Sequence, residues 1–213
     1  MIHVPREGEP EVLRTNGPTW LRSYEAKRAT KPSVRPPSSQ YAHPSVKGAL
    51  RAMSHGKCFY CEVKCEGEVD HYVEVAERPD LAFTWTNLYL ACSHCNDKAP
   101  NRSIANADCV DPCDATCDPA DHLELVDEVV RAKTPRGAAT IKKYRLDDRE
   151  GERRRVLLSI YRAVSELTQD KGVRYLSDEE KRELWKIFAD DRAEMAQVGR
   201  AYLQRNGLIP TTP

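Results

Sequence analysis

The chain has 213 residues, of which 40% are hydrophobic and 31% are charged. This length suits one domain, or a small domain with substantial extensions. Lysine plus arginine and aspartate plus glutamate both number 33, so the formal net charge is zero. That balance argues against a strongly basic protein that coats DNA, and any nucleic-acid binding must come from a local patch or from a partner.

The sequence carries no recognisable targeting or membrane segment. Its first residues lack the apolar region of a signal peptide, and no run approaches the ~18 apolar residues of a membrane span. We therefore expect a cytoplasmic protein. In a reducing compartment, the eight cysteines favour metal ligation over disulfides.

The first part of the chain is rich in proline. Residues 1–43 contain six of the 14 prolines, which cannot continue a regular helix. We expect an extended arm with one short helix near Trp20–Ala29. Pro44 can begin a second helix that ends near Ser54. The apolar face of that helix consists of Val46, Leu50 and Met53.

The middle of the chain holds all eight cysteines, between residues 58 and 117. Short strands are expected over Glu68–Val73 and Leu88–Ala91. From about Ala138 onward the pattern predicts helices, one of them begun by a capping box of Ser177 and Glu180. The apolar stripe of the first long helix is predicted to be Val156, Leu157, Ile160, Tyr161 and Val164.

Two C-x-x-C pairs point to a zinc site. Cys58 and Cys61 form the first pair, and Cys92 and Cys95 form the second. Two residues between cysteines allow both thiolates of one tight turn to face one ion, and two such turns complete the tetrahedron that zinc prefers. With four thiolates the zinc has no open position, so it would be structural. The alternative is that the pairs are redox-active or incidental.

The segment between the pairs carries the residues of a hydrolytic site. Asp70 and His71 are adjacent, and Asn96 directly follows the second cysteine pair. Hydrolysis of a phosphodiester needs a base that activates water and a divalent ion that stabilises the phosphate. A histidine beside a metal-binding carboxylate can supply both, and an asparagine at a zinc turn can present a second oxygen ligand.

In this order, Cys58-x2-Cys61, Asp70-His71, Trp85-x-Asn87-Leu88 and Cys92-x2-Cys95-Asn96-x-Lys98 resemble the HNH endonuclease pattern with paired cysteines. The resemblance implies that His71 is the general base. It implies that Asp70 and Asn96 bind one Mg²⁺ or Mn²⁺. It also implies that Asn87 pins the loop and orients His71 through hydrogen bonding.

The chain departs from the family pattern at two places. Asn96 is followed by Asp97 and Lys98, where relatives often have Lys-Gly, and Val73-Glu74 replaces a frequent Pro-Lys. Lys98 and Arg102 are candidates for phosphate contacts. The alternative for both is a merely solvated charge.

A closer resemblance is carried by the order of several short segments. The chain resembles the HNH subunit of Septu-type anti-phage systems, which also occurs with retrons. That family implies an ABC/SMC-like ATPase partner and the cutting of nucleic acid during infection. The segments are Met1–Arg6 with Pro10, Ala49–Glu62, Val110–Pro112, Asp118–Leu123, Thr140-Ile141 and Leu146-Asp147.

Four cysteines remain outside the two pairs. Cys109, Cys113 and Cys117 recur every four residues, and Cys65 stands alone. They could form a second zinc site, with His122 as an alternative ligand. The alternative is a set of free or buried cysteines, which behave as small hydrophobic residues.

Taken together, the sequence predicts an α+β fold with a small ββα-metal HNH core and a four-cysteine zinc knuckle. The predicted regions are an arm at 1–43, a nuclease domain at 44–135 and a helical region at 136–213. The predicted activity is metal-dependent cleavage of nucleic acid, with DNA favoured over RNA. The alternatives are a zinc-stabilised scaffold with an inactive site and a thiol-disulfide enzyme.

Overall fold

The computed structural model describes residues 1–148, 150–169 and 176–210, in which two antiparallel hairpins lie among nine helices. This confirms the predicted α+β class. The helices are α1 (Glu11–Thr30), α2 (Ser38–Tyr41), α3 (Pro44–Met53), α4 (Ser93–Asn96), α5 (Pro119–His122), α6 (Pro135–Tyr144), α7 (Glu150–Gln169), α8 (Asp178–Ala189) and α9 (Ala196–Arg205). The strands are β1 (Glu68–His71), β2 (Leu88–Ala91), β3 (Leu123–Val126) and β4 (Val129–Ala132).

The first hairpin is the centre of the fold. Strands β1 and β2 pair antiparallel, with His71 opposite Leu88, and α4 follows β2 directly. All four residues of β2 are buried, because this strand lies inside the core and not at its surface. Gly67 has a φ of +66° before β1, and a Cβ there would lie 2.6 Å from a side-chain carbon of Leu90. Only glycine meets both requirements at this turn.

The N-terminal region is more ordered than the sequence predicted. Helix α1 has 20 residues and continues through Pro18, so residues 1–43 are not an extended arm with one short helix. Leu13 and Tyr24 are buried on either side of the proline. Their burial stabilises the helix on both sides of Pro18. This stabilisation outweighs the cost of the backbone hydrogen bond that Pro18 cannot make.

Helix α3 precedes the first hairpin in the chain, and the second hairpin follows it. Helix α3 begins at Pro44 and buries Val46, Leu50 and Met53, as predicted. Strands β3 and β4 were not predicted. They are joined through Asp127, whose φ is +53°, and β4 contacts α6. The two-residue link Asp-Glu between short apolar runs was the available signal for this hairpin.

The apolar stripe predicted for the first long helix is partly wrong. Val156 and Ile160 are 56% and 47% exposed, whereas Leu158 and Tyr161 are buried. Arg154 is also buried on α7 and donates to the carbonyl oxygen of Leu146 at 2.9 Å. This polar residue faces the core. The buried face of α7 therefore differs from the face that the pattern of apolar residues predicted.

The C-terminal helices are tied to the first cysteine pair. The backbone nitrogen of Met195, just before α9, donates to the carbonyl oxygen of Glu62 at 3.1 Å. The capping box of Ser177 and Glu180 is present at the start of α8, as predicted. None of the helices in the described ranges is both long and apolar enough to cross a bilayer.

Candidate metal centre and active site

The two C-x-x-C pairs meet in space. The sulfur atoms of Cys58, Cys61, Cys92 and Cys95 all lie within 4.8 Å of one another, and those of Cys61 and Cys92 are 3.7 Å apart. Tetrahedral Zn–S bonds of about 2.3 Å place sulfur atoms roughly 3.8 Å apart. The cluster therefore has the size and the donor set of a four-thiolate zinc site.

Local backbone geometry explains how the cysteines converge. Cys92 is the N-cap of α4, and its sulfur accepts from the backbone nitrogen of Cys95 at 3.5 Å. In the first pair, the backbone nitrogen of Cys58 donates to Val63, and Glu62 has a φ of +63°. Each pair is thus held on a tight turn, and the two turns face each other.

Hydrogen bonds within the cluster shift the pKa values of its thiols in opposite directions. Hydrogen bonds from the neighbouring thiols, first that from Cys58, lower the pKa of Cys92. The same network, again led by Cys58, raises the pKa values of Cys61 and Cys95 well above the usual thiol value. These hydrogen bonds stabilise one thiolate, at Cys92, and leave the neighbouring thiols protonated. Four adjacent thiolates would repel one another unless a divalent cation balanced their charge.

The structure does not bring the second cysteine group together. No second cluster of ligand atoms occurs in the described part of the chain. Cys65 lies beside the first cluster, where burial, followed by the charges of Cys58 and Cys92, raises its pKa to about 12. The Cys109 sulfur donates to a backbone carbonyl at 3.6 Å, and the Cys117 sulfur accepts from Arg136 at 3.5 Å. The suggested second zinc site is therefore not formed, because each thiol has a separate environment.

Asp70 lies at the centre of a buried polar network. Its Oδ2 atom accepts from the Tyr60 hydroxyl at 2.6 Å and pairs with the Lys98 ammonium at 2.7 Å. Asp70 is 5% exposed, and burial raises the pKa of its carboxyl, which the Lys98 charge opposes. Both of these contacts fall on Oδ2.

His71 is oriented by a backbone carbonyl. Its Nε2 lies 2.9 Å from the carbonyl oxygen of Ala82. A carbonyl oxygen can only accept, so Nε2 carries the proton and Nδ1 is the basic nitrogen of the neutral ring. His71 is 9% exposed, and burial lowers the pKa of its imidazole below the ordinary value of 6.5. The ring is therefore neutral at pH 7 and can accept a proton.

Asn87 closes the loop between the two strands. Its Oδ1 accepts from the backbone nitrogen of Val73 at 2.7 Å, and its Nδ2 donates to the carbonyl oxygens of Val73 and Leu81 at 3.0 and 3.3 Å. It makes no direct bond to His71 among these contacts. The two residues are linked through the backbone, because Asn87 bonds Leu81 and the carbonyl of the neighbouring Ala82 bonds the imidazole.

Asn96 lies at the end of α4 and contacts β1. Its Nδ2 donates to a carboxylate oxygen of Glu68 at 2.5 Å. Glu68 and Asp70 are two residues apart on one strand, so they share a face of the hairpin. Because Nδ2 of Asn96 faces Glu68, the Oδ1 atom of the same amide faces away from Glu68. Carboxylate and amide oxygens are suitable ligands for Mg²⁺ or Mn²⁺.

The two candidate phosphate contacts have different surroundings. Lys98 is 4% exposed, and besides Asp70 it bonds the carbonyl oxygen of His71 at 2.7 Å. Its ammonium is directed into the protein and not towards a solvent-borne phosphate, because it neutralises the buried carboxylate. Arg102 is exposed and pairs with Glu74 at 3.0 Å.

Sequence reasoning missed three groups that hydrogen-bond to the site residues. Tyr60 and Glu68 hold Asp70 and Asn96, and the carbonyl of Ala82 holds His71. Strand alternation two residues before Asp70 could have indicated Glu68. A backbone carbonyl has no side-chain signature, so the sequence contains no signal for the contribution of Ala82.

Comparison with known proteins agrees with this geometry. Residues 58–102 match the HNH endonuclease family. Septu protein PtuB of Bacillus thuringiensis is 29% identical over 135 residues, which cover 61% of this chain and 51% of that protein. Septu protein PtuB of Bacillus mycoides (strain KBAB4) is 29% identical over 191 residues, which cover 70% of this chain and 64% of that protein.

The chain spans about half to two thirds of the length of these curated relatives. The family match contains both cysteine pairs and all four predicted catalytic residues, and the similarity to PtuB extends well beyond it. Residues 58–102 thus match the HNH endonuclease family, and the similarity of the chain to Septu protein PtuB extends over 135 to 191 residues.

Proposed function

We propose that this protein is a metal-dependent HNH endonuclease that hydrolyses phosphodiester bonds, with DNA as its substrate. The observation that carries the proposal is the state of His71. Its Nε2 is fixed on the Ala82 carbonyl 2.9 Å away, which leaves a basic Nδ1 on a neutral ring beside a carboxylate. A base prepared in this way is what the activation of water requires.

In the proposed reaction, Nδ1 of His71 takes a proton from water as the water attacks the phosphorus atom. The bond to the Ala82 carbonyl holds the imidazole as it becomes charged. Asp70 and Asn96 would hold Mg²⁺ or Mn²⁺, which supplies stabilisation of the phosphate and of the leaving 3′ oxygen when bound. Tyr60 and Lys98 keep the Asp70 carboxylate in one orientation.

Zinc on Cys58, Cys61, Cys92 and Cys95 has a structural role in this proposal. Four thiolates leave no open coordination position. The first cysteine turn precedes β1 and the second begins α4. The backbone nitrogen of Phe59, in the first turn, donates to the carbonyl oxygen of Leu90 in β2 at 2.9 Å. The zinc would therefore hold Asn96 and the hairpin together and would take no part in the chemistry.

Substrate contact is proposed for Arg102. Its ion pair with Glu74 is exposed on the arginine side, and exposed pairs contribute little stability in water. The guanidinium can therefore exchange Glu74 for a phosphate oxygen. Lys98, expected from the sequence to do the same, supports the site from inside by balancing the charge of Asp70.

We further propose that the protein acts in the cytoplasm, as the effector nuclease of an anti-phage complex with an ABC/SMC-like ATPase. The similarity to Septu PtuB proteins supports this assignment. All eight cysteines are unpaired, which suits a reducing compartment. A formal net charge of zero also suits a nuclease that gains nucleic-acid affinity from a partner.

The proposal is tested by incubating the purified protein with supercoiled plasmid and with total RNA, in Mg²⁺ or Mn²⁺. His71→Ala is compared with His55→Asn, a change at an exposed histidine with positive φ, which asparagine tolerates. We expect cleavage of plasmid by the wild type and by His55→Asn, and loss with His71→Ala or EDTA. Where the isolated protein cleaves neither nucleic acid, the assay is repeated with the proposed ATPase partner.

Two results would contradict the proposal. Cleavage that survives His71→Ala would remove His71 as the base. No cleavage of either nucleic acid, with the ATPase present, would favour a zinc-stabilised scaffold with an inactive site.

A further inference from the structure

The N-terminal helix supports the nuclease site from outside the HNH segment. Helix α1 packs against Phe83, with ring centroids 5.9 Å from Trp20 and 6.1 Å from Tyr24. Phe83 directly follows Ala82, whose carbonyl oxygen holds Nε2 of His71. One side of the imidazole is thus fixed by a loop that α1 holds in place.

Helix α2 places a second aromatic ring against the imidazole itself. The Tyr41 and His71 ring centroids are 4.6 Å apart, with 55° between the planes. Tyr41 is half-buried, so part of it faces solvent. Burial, and then the charges of Glu68 and Asp70, raise the pKa of the Tyr41 phenol, which agrees with a ring near these two carboxylates.

The segment that carries Tyr41 is stiff. Helix α2 follows Pro36-Pro37, and Pro44 begins the next helix only three residues after Tyr41. The backbone nitrogen of Ala42 donates to the carbonyl oxygen of Ser38 at 2.9 Å. Proline limits the backbone conformations of the chain on both sides of α2, which favours the backbone position that brings Tyr41 to His71.

We propose that Tyr41 is a positioning residue of the nuclease site, supplied by the N-terminal region, whose ring holds the imidazole of His71 in its reactive orientation. The inference rests on the proposed function. A single hydrogen bond at Nε2 does not by itself prevent rotation of the imidazole about its Cβ–Cγ bond. The Tyr41 ring lies within van der Waals range of the imidazole and limits this motion, so that Nδ1 stays directed at the attacking water.

The ring and not the hydroxyl carries this role. The contact with His71 is between the two rings, and phenylalanine would preserve it. A leucine would fill part of the space without the planar surface. Misplacement of a catalytic group by about 1 Å can cost roughly 10²-fold in rate, so the expected loss for Tyr41→Leu is about 10- to 100-fold in kcat.

The test compares Tyr41→Phe and Tyr41→Leu with Tyr202→Leu in the full chain, together with the ATPase where cleavage needs it. Tyr202 is also half-buried and packs on another aromatic ring, Tyr161, at a centroid distance of 5.9 Å, but it lies in α9. The measurements are kcat and KM for plasmid cleavage, Mn²⁺ affinity by calorimetry, and the ¹H resonances of the His71 ring by NMR. The His71 signals are assigned with His71→Ala.

We expect Tyr41→Phe and Tyr202→Leu to stay within about threefold of the wild type. We expect Tyr41→Leu to lower kcat by about 10- to 100-fold, with KM and Mn²⁺ affinity within about threefold. Only Tyr41→Leu should shift the His71 ring resonances, because it removes the ring current of the tyrosine. Because partial unfolding would also lower kcat without changing KM, kcat is expressed per Mn²⁺-binding site counted in the same calorimetry.

Three results would overturn the role of Tyr41 while leaving the nuclease assignment intact. These are a Tyr41→Leu variant as active as the wild type, a Tyr41→Phe variant as impaired as Tyr41→Leu, and unchanged His71 resonances in Tyr41→Leu. A wild type that cleaves neither nucleic acid with the ATPase present would instead overturn the proposed function, and with it any catalytic role for Tyr41.

Discussion

Replacement of Lys98 by methionine tests the buried network directly. The ammonium lies 2.7 Å from Asp70, and the two residues are 4% and 5% exposed. Methionine fills similar volume but leaves the carboxylate without its countercharge. Removal of one partner from a buried ion pair costs about 3–5 kcal/mol. We expect Lys98→Met to lower the free energy of unfolding by about that amount at pH 7.5.

The assay is urea denaturation of zinc-loaded protein without other divalent ions. Lys142→Met is the matched control, because Lys142 is an exposed lysine on α6 and should change the free energy of unfolding by less than about 0.5 kcal/mol. The double variant Asp70→Asn with Lys98→Met removes both charges, and the Tyr60 hydroxyl can still donate to the amide oxygen. It should regain at least about 2 kcal/mol relative to Lys98→Met alone.

Added Mn²⁺ provides a further check on the same variant. If Asp70 binds the ion, Mn²⁺ supplies the missing positive charge and should stabilise Lys98→Met more than the wild type. A loss below about 1 kcal/mol in Lys98→Met, or a double variant no more stable than the single one, would refute the argument that Lys98 balances a buried charge.

Three other predictions concern the base, the loop and the zinc. Because burial holds the pKa of His71 below 6.5, the rate of cleavage should fall at low pH as the base becomes protonated, and it should reach half its maximum at a pH below 6.5. A half-maximal rate at a higher pH would contradict this reasoning. Asn87→Ala removes three backbone hydrogen bonds and should cost about 2–4 kcal/mol in urea denaturation, whereas Asn206→Ala, at an exposed site, should cost little. Cys95→Ser should abolish stoichiometric zinc by elemental analysis and lower the unfolding temperature, and retention of zinc would refute the four-thiolate assignment.

Several features of the site could be read from the sequence because they depend on residues close together in the chain. The spacing of Cys58-x-x-Cys61 and Cys92-x-x-Cys95 describes two tight turns, and the structure brings the four sulfur atoms into one cluster. The helix that starts at Pro44 and the strand over Leu88–Ala91 follow from local patterns of proline and apolar residues. The adjacency of Asp70 and His71 on one strand needed no tertiary information.

Other features depended on contacts between distant segments. Lys98 was expected to face phosphate, but the buried carboxylate of Asp70, 28 residues earlier, draws its ammonium inward because an unpaired buried charge is costly. The four remaining cysteines have ligand chemistry but occupy separate environments. Their spacing alone could not reveal that difference.

The least predictable contribution is that of the N-terminal region. Its prolines indicated an extended arm, yet α1 runs through Pro18 because buried residues on both sides hold it against the domain. The Ala82 carbonyl and the Tyr41 ring reach His71 only after the chain has folded. The sequence by itself determined which residues can bind metal and accept a proton. Tertiary packing decided how each is oriented and charged, because burial and backbone contacts set both.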